Sequence, residues 1–484
     1  MKKLLILLLL PTLVSAQKLI SATPITGPGS LSALIDRVNQ LEARLTLVEA
    51  GTPASVTVTA PVSVTGVDYP AGTPVFSTLS ALQDAVNAVP VNNTVRKIFL
   101  MAPGNYTTTG SSVVINSRPL IEIGAAKINT VHIYNGDPNL STFYVTGNSR
   151  HPIFTQLNLH GTINGSSPVY KSLIHTDYTT KADSLEVRFC RLDNPNANQN
   201  LISVVPFNQV VNAGIPAIAY HIHHNKVKGG GRAFLEANGH GHEKNDSTAY
   251  IVNWVVAYND VDSIGLVDPS YGVLVSLSGR NDGCQILYNK AKDCSFAAYE
   301  VVAGRNTRIW YNTMASSMNL PGCTGISVSS AEINGQKLYN YNIDIKGGSG
   351  YARQRALALY HIRGFTVDST SWTNEYFNEV YSCSKGTIKN SNFVHPKGGE
   401  YNPSSGNVWQ FNASNQITFT GNTTLQSSTT QTNYSAVSLG VNFGGTNNIS
   451  TNCVVTNNTF ARMGTTADNP IHNESGTNVI SPNY

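Results

Sequence analysis

Charge is scarce in this chain of 484 residues: Lys, Arg, Asp and Glu together make up 12% of it, the formal balance is +4, and no block of like charges occurs. A grip on nucleic acid needs a basic patch or stripe, so that class of partner is excluded. Long apolar runs are missing too. The one compact stretch, Leu4 to Leu10, is too short to cross a bilayer, and no membrane span is expected. The six cysteines (Cys190, Cys284, Cys294, Cys323, Cys383 and Cys453) lack the C-x-x-C spacing of a metal site. They leave two arrangements open: three disulfides formed in an oxidising compartment, or thiols buried in a core. A chain this long buries a core without staples. Helix-favouring runs of Glu, Lys and Ala are almost absent after residue 90, whereas Gly, Asn, Ser and Thr are abundant. That composition implies an all-β fold with many turns, and repeats are the next thing to seek.

What is present begins with an export signal. Lys2 and Lys3, the apolar core that follows and Val14-Ser15-Ala16 before Gln17 read as a signal peptide over residues 1–16, of bacterial proportions. The protein is therefore expected to be secreted. Losing those two lysines takes the formal charge from +4 to +2. No cysteine opens the mature chain, so a lipid anchor is not expected.

The repeats are there. An apolar residue three places before an Asn recurs as Ile222 and Asn225, Val256 and Asn259, Ile286 and Asn289, Ile309 and Asn312, Phe419 and Asn422, and Val455 and Asn458. Strand alternation makes the apolar column face inward. The Asn column reads as a ladder at a tight turn, its side-chain amides bonding along the stack, where Asn also tolerates left-handed geometry. Gaps between the first four Asn are 34, 30 and 23 residues. The shortest suits one coil of a three-faced helix of strands, and the longer ones imply inserted loops. Variable gaps argue against propellers and leucine-rich repeats. The expected fold is a right-handed parallel β-helix over residues 95–484, with looser register between 313 and 417.

Upstream, Leu31, Leu34, Val38, Leu41, Leu45 and Val48 fall on a and d positions of three heptads, within a segment spanning 17–50. Arg37 and Arg44 at g precede Glu42 and Glu49 at e by five residues, the spacing of pairs between parallel chains. A short coiled coil, trimeric because Ile35 widens the seam, is one reading. A single amphipathic helix is the other. Residues 51–94 then hold a stretch rich in Thr, Val, Pro and Gly, 51–75, that reads as a linker or as first strands, and an amphipathic helix from Ser77 to Val89, with Leu79, Leu82, Val86 and Val89 on one face. With the strand from Lys97 and its turn, the stretch to Ile123 resembles the opening of pectin esterases and other β-helix carbohydrate enzymes. That resemblance implies a helix capping the open barrel end, which would otherwise expose unpaired edges.

Candidate chemistry lies on outward positions four and two before each Asn: His221 and His223, Val255 and Ala257, Gln285 and Leu287, Arg308 and Trp310. An aromatic face beside Arg and His suits a sugar ring and its carboxylate or sulfate. The densest polar segment, Gly229 to Asp246, supplies Arg232, Glu236, His240, His242 and Glu243. A neutral His can take a proton, carboxylates can hold Ca2+, and His240 with His242 can take up a transition metal adventitiously. A Gly-rich loop with scattered His also reads as a plain solvated turn.

From Tyr220 to Met314 the chain resembles the polysaccharide lyase family of chondroitinase B and alginate lyases, within the pectate-lyase-like superfamily. The shared features are His223-His224-Asn225, Gly229 to Gly231, Val256 to Asn259, and the Gly-Arg-Asn segments at 279–281 and 304–306. The resemblance implies a β-helix acting on polysaccharide. Where the family puts a Lys base and an Arg-His pair, this chain has Ser276-Leu277 and Val302-Ala303, and the acidic Ca2+ ligands before the Lys are replaced by Tyr271 to Val275. Two readings follow. One is a carbohydrate-active protein that binds, and in a lyase version cleaves, an acidic polysaccharide, with His221, His223 and Arg232 as base and neutraliser and Glu236, His240, His242, Arg308 and Trp310 lining the site. The other is a non-catalytic trimeric fibre, adhesin or tailspike-like surface protein.

Overall fold

The computed structural model describes residues 67–484, apart from 138, 162–171, 195–198, 209–210, 212, 240–248, 266–270, 317–322, 334–335, 396–406, 427–434, 441, 444–445, 463–470, 474 and 484. The export signal at 1–16, the heptads at 31–48, His240 and His242 all lie outside the described residues. Ala71–Tyr484 forms one compact unit.

Short strands follow one another in sets of three. One coil runs through Val255–Ala257, Asp260–Ile264 and Val273–Ser278, and the next through Gln285–Leu287, Lys290–Cys294 and Ala297–Val302. Each strand pairs in parallel with its counterpart one coil away, never with its neighbours in the chain. The result, among the described residues, is sheet A of nineteen strands and sheets B and C of thirteen each. Three small hairpins are the antiparallel exceptions. This is a parallel β-helix. The longer coils between Asn225 and Asn289 contain the segments 240–248 and 266–270, while the 23-residue coil from Asn289 to Asn312 contains neither.

Alternation along each strand sends one column of every sheet inside. On sheet A, Ile222, Val256, Ile286, Ile309 and Ile345 stand in register and are all buried. Sheet B contributes Val227, Val261, Ala291 and Met314, and sheet C contributes Leu235, Val275, Tyr299 and Ile326. The buried Tyr299 hydroxyl donates to the Asn289 and Thr313 carbonyls at 2.9 Å, which makes its inward position tolerable.

At the corner between sheets A and B the Asn side chains stack. Asn225 Nδ2 donates to Asn259 Oδ1 at 2.9 Å, Asn259 to Asn289 at 2.9 Å and Asn289 to Asn312 at 3.0 Å. Each Oδ1 also accepts the backbone N–H of the Asn one coil before, and each Nδ2 also donates to a sheet A carbonyl. The left-handed residue is not the Asn, as its tolerance of that geometry suggested, but the residue before it. His224, Tyr258, Tyr288 and Tyr311 have φ of 55°, 58°, 55° and 56°. Turning the chain there leaves the Asn side chain pointing inward. Between Asn312 and Asn422 the corner holds Gly348, Thr370 and Ser391 instead, and this substitution is why the pattern loosens. Serine keeps part of the ladder, its Oγ accepting from Thr370 N at 3.2 Å while its own N–H donates to Asn422 Oδ1 at 3.0 Å. The strand Asn378–Tyr381, within the stretch of looser register, belongs to sheet C.

The helix α1, Leu79–Ala88, starts at Thr78, whose Oγ1 accepts from Ala81 N at 3.1 Å. Leu82 and Val86 are buried with Phe99, Met101, Val113 and Ile115 in one core. Sheet A begins ahead of the helix, because Val75–Phe76 pairs with Leu100 and Met101; of the two readings of the preceding stretch, linker or first strands, its end holds a strand. All six cysteines are buried free thiols, so of the two arrangements the structure has the thiols. Burial pushes those of Cys190, Cys284 and Cys383 up to about 12.

Two outcomes are expected. Asn259→Ala strands several buried partners at once and should cost about 3 kcal/mol or more of stability, read by denaturant unfolding. A thiol reagent such as DTNB should label none of the six cysteines in the native protein within minutes and all six in denaturant; a count below six in denaturant would point to a disulfide.

Candidate functional site

Three outward faces carry three different collections of side chains. On sheet A, Glu186 and Arg188 lie in register with His221 and His223, and Glu122 stands two strands from Glu186 across Ile153. Arg188 bridges the acids, reaching Glu186 Oε1 at 3.0 Å and Glu122 Oε1 at 3.1 Å. The same Glu186 oxygen meets His223 Nε2 at 3.0 Å, and His223 Nδ1 lies 2.8 Å from His224 Nδ1. The His221 ring sits 4.2 Å from that of His223. Burial raises the Glu186 carboxyl, but the His223 hydrogen bond and the Arg188 charge outweigh it and hold the group at about 2. Desolvation, then the neighbouring His223, lowers His221 and His224 to about 4. This cluster therefore holds a carboxylate near two imidazoles, His221 and His224, that are neutral at pH 7.

Beside it runs a column that the sequence did not announce. Phe189, His224, Tyr258, Tyr288 and Tyr311 occupy the left-handed corner and stack with centroids 5.2, 4.9, 5.1 and 5.0 Å apart. The column stops at Gly347, where a Cβ would come within 2.3 Å of the Tyr311 ring. Since each ring face is spent on the next ring, the ladder ties coils together and turns only edges outward.

Arg308 and Trp310 are on sheet A as well, but three strands from the histidines, across Val255 with Gln285 and across Ala257 with Leu287. That is about 14 Å at the usual strand spacing, too far for one constellation. The Arg308 guanidinium covers the Trp310 ring at 5.2 Å, and Trp310 Nε1 donates to Asp344 Oδ2 at 3.0 Å. Nor does Arg232 join His221 and His223. It precedes a sheet C strand, Ala233–Asn238, and sheet C faces another way. Its guanidinium binds Glu236 through Nε and Nη2, both at 3.2 Å, and lies 3.8 Å over the Tyr271 ring. Glu236, buried, also accepts from Asn200 at 2.5 Å, and along the same column Ser276 donates to Glu300 at 2.5 Å. Arg232 and Glu236 are thus committed to each other, an arrangement that fastens the face and leaves little for a ligand.

Sheet B holds the constellation that sequence reading missed. His132 Nδ1 lies 3.0 Å from His160 Nε2, and His160 Nδ1 lies 2.8 Å from Asp193 Oδ2. The carboxylate accepts from His160 Nδ1–H, so a neutral His160 accepts from His132 Nδ1–H, and His132 Nε2 is left with a lone pair. Tyr134 stacks on His160 at 4.6 Å and holds the ring in place. This chain opens on a groove of about 450 Å³ that is also lined by Arg191, Lys226, Lys228 and Lys292 and by Asp260 and Asp262. Sites for small ligands occupy about 300–1,000 Å³. Arg191 and Lys226 are exposed and directly in register, and among the described residues neither has an ion-pair partner. Asp260 stands in register on the other side of Lys226, which leaves Arg191, beside Asn158 and Lys226, as the cation of this column with no acid in register next to it; an anion there is favoured. A signal for this site did exist. His132, His160 and Asp193 each flank a buried apolar residue, Ile133, Leu159 or Leu192, but these strands precede the first Asn of the ladder, the marker used to align coils.

No protein-family model matches the sequence, and no curated protein matches it. Among solved structures the chain is similar to the A-module of a mannuronan C-5 epimerase of Azotobacter vinelandii, at 13% identity and a TM-score of 0.48, over 85% of this chain and 97% of that one. It is similar to the catalytic unit of a GH87 α-1,3-glucanase of Streptomyces thermodiastaticus at 12% and 0.48, over 85% and 71%. A DFA-IIIase of Arthrobacter chlorophenolicus follows at 11% and 0.46, over 85% and 97%. Function has to be argued from the side chains.

One consequence concerns acid. Desolvation and Lys337 lower His361 from 6.5 to about 4, so the folded state binds this proton less readily than the unfolded chain. Its contribution to stability is complete above about 6.5 and is lost as the pH falls through about 4. The melting temperature should drop across that window. His361→Phe, which keeps a ring against Tyr339 and Tyr381, should drop less steeply.

Proposed function

We propose that this protein binds an acidic polysaccharide along sheet B and takes a proton from a uronate residue there. The observation that carries the reading is the Asp193–His160–His132 chain lining one groove together with Arg191 and Lys226. Removing the C5 proton of a uronate needs a base for the proton and a cation for the charge that develops on the carboxylate. His132 Nε2 supplies the first. Asp193, half-buried, holds the His160 tautomer, and through it steadies the imidazolium that forms on His132. Arg191 and Lys226 supply the second, with Arg191 able to grip a carboxylate through two N–H groups.

Once the proton has gone to His132, the electron pair rests in an enediolate. It can expel the C4 oxygen, which takes up a proton and leaves a C4–C5 double bond. Alternatively it is reprotonated at C5 and the chain stays whole. Export through residues 1–16 and trimerisation through 31–48 belong to the same reading, since a polysaccharide outside the cell is met there and a trimer binds it repeatedly. Right-handed winding, with α1 closing the N-terminal end of the coils, completes it.

The test uses alginate, pectate and chondroitin in D2O, following absorbance of unsaturated ends and exchange at C5 by NMR. His132→Ala should lower turnover or exchange by about a hundredfold to ten-thousandfold while binding survives. Arg191→Ala with Lys226→Ala should weaken binding and flatten its salt dependence. Binding to none of the three polymers, or binding that ignores the Arg191 and Lys226 changes, would sink the proposal; binding without exchange would leave the non-catalytic fibre or adhesin.

A further inference from the structure

Sheet A holds a second, independent constellation. One donor atom each from Glu186, His221 and His223 lie within 4.8 Å of one another. They come from two adjacent strands. His221 and His223 are two residues apart and project on one side, and Glu186 faces His221 in register. We propose that these three side chains form a binding site for a divalent transition-metal ion such as Zn2+ or Co2+. Nothing in it rests on the sheet B groove.

The donor set decides the class of ion. Ca2+ takes six to eight oxygens and Mg2+ prefers oxygens and water, whereas two imidazoles and one carboxylate suit zinc, cobalt or nickel. Nearby Arg188 and Arg96 balance Glu122 and Glu186 in formal charge, so affinity has to come from ligand bonds and not from surplus negative charge. A tetrahedral ion holds its ligands about 3.3 Å apart, so the donors need to close by about 1.5 Å at most, within reach of side-chain rotation. His223 Nε2 and a Glu186 oxygen already stand at 3.0 Å.

The surrounding groups hold these ligands in place. Glu186 only accepts, so without metal His223 Nε2–H donates to it. A bound ion displaces that proton, and with the proton shared across the 2.8 Å between the Nδ1 atoms then on His223 and donated to His224, the Nε2 lone pair is left for the ion. Metal-bound histidines are commonly oriented by such a bond from the other nitrogen. Arg188 positions Glu186 and is itself held by Glu122 and by Thr155 at 3.4 Å. Bound metal would tie the strand Glu186–Arg188 to the strand His221–His223 one coil on.

The experiment takes the untagged full chain, stripped with EDTA, and titrates it with Zn2+ by calorimetry and with Co2+ by visible absorption. One tight site per chain is expected, with no saturable response to Ca2+ or Mg2+. His221→Ala, His223→Ala and the isosteric Glu186→Gln should each weaken Zn2+ binding by about a hundredfold or more. His224→Ala, a positioning change, should weaken it about tenfold to a hundredfold and shift the Co2+ bands while the stoichiometry stays at one. The His240→Ala/His242→Ala double variant should bind as the parent does. Absence of binding, binding that survives Glu186→Gln and His221→Ala, or binding lost only with His240 and His242 each overturns the site.

Discussion

The structure depends on one constraint: a strand in this chain can satisfy its backbone only by pairing with the coil above and the coil below. Among the described residues, and apart from the opening pair Val75–Phe76 with Lys97–Met101, the strands of sheets A, B and C pair not with their neighbours in sequence but with strands one coil away, so the sheet hydrogen bonds run along the axis. The corners are the weak point, because a chain that bends out of a sheet leaves polar groups unpaired inside. The Asn ladder meets that need. Each amide accepts from one backbone N–H and donates to one backbone carbonyl, and it also joins the amides on either side. The aromatic ladder one residue earlier exists because the turn into that Asn puts its predecessor at positive φ, projecting outward in every coil.

A core built this way leaves the outside free. The inward columns need only apolar side chains of the right size, while the outward columns stand in register about 4.8 Å apart whatever they carry. Side chains distant in sequence therefore meet: His132 and Asp193 are linked through His160, and Glu122 meets Glu186 through Arg188. Equally, side chains close in sequence part. Arg232 lies nine residues from His223 yet belongs to a different face, since the chain turns a corner of the prism between them. The three faces accordingly hold different chemistry: a groove of mixed charge with a histidine relay on B, a carboxylate–imidazole cluster on A, and interlocked Arg–Glu and Ser–Glu pairs on C.

Much of the fold was legible because its grammar is local. The Asn and the apolar residue three places before it mark each coil from Ile222 to Asn312, and Leu82 and Val86 mark the buried side of α1. Legibility failed where the marker changed. Before Asn225 the corner position holds Cys190, whose N–H meets the Asn225 amide, and after Asn312 it holds Gly348, Thr370 and Ser391. Those residues fit the same turn without looking alike. The candidate site suffered more, since His132 and His160 lay in coils that no marker aligned.

By itself the sequence determined that this chain is all-β, that it repeats with an inward apolar column and an Asn corner, and which residues of each repeat point outward. These follow from alternation and turn chemistry, which act over a few residues. Only the tertiary structure decided which outward residues share a face and which of them touch. His132 with Asp193, and Glu186 with His221, are separated by dozens of residues and joined by coil register, and register depends on how many residues each corner takes up. A loop that lengthens one coil leaves every local pattern intact, and it still changes which side chains become neighbours.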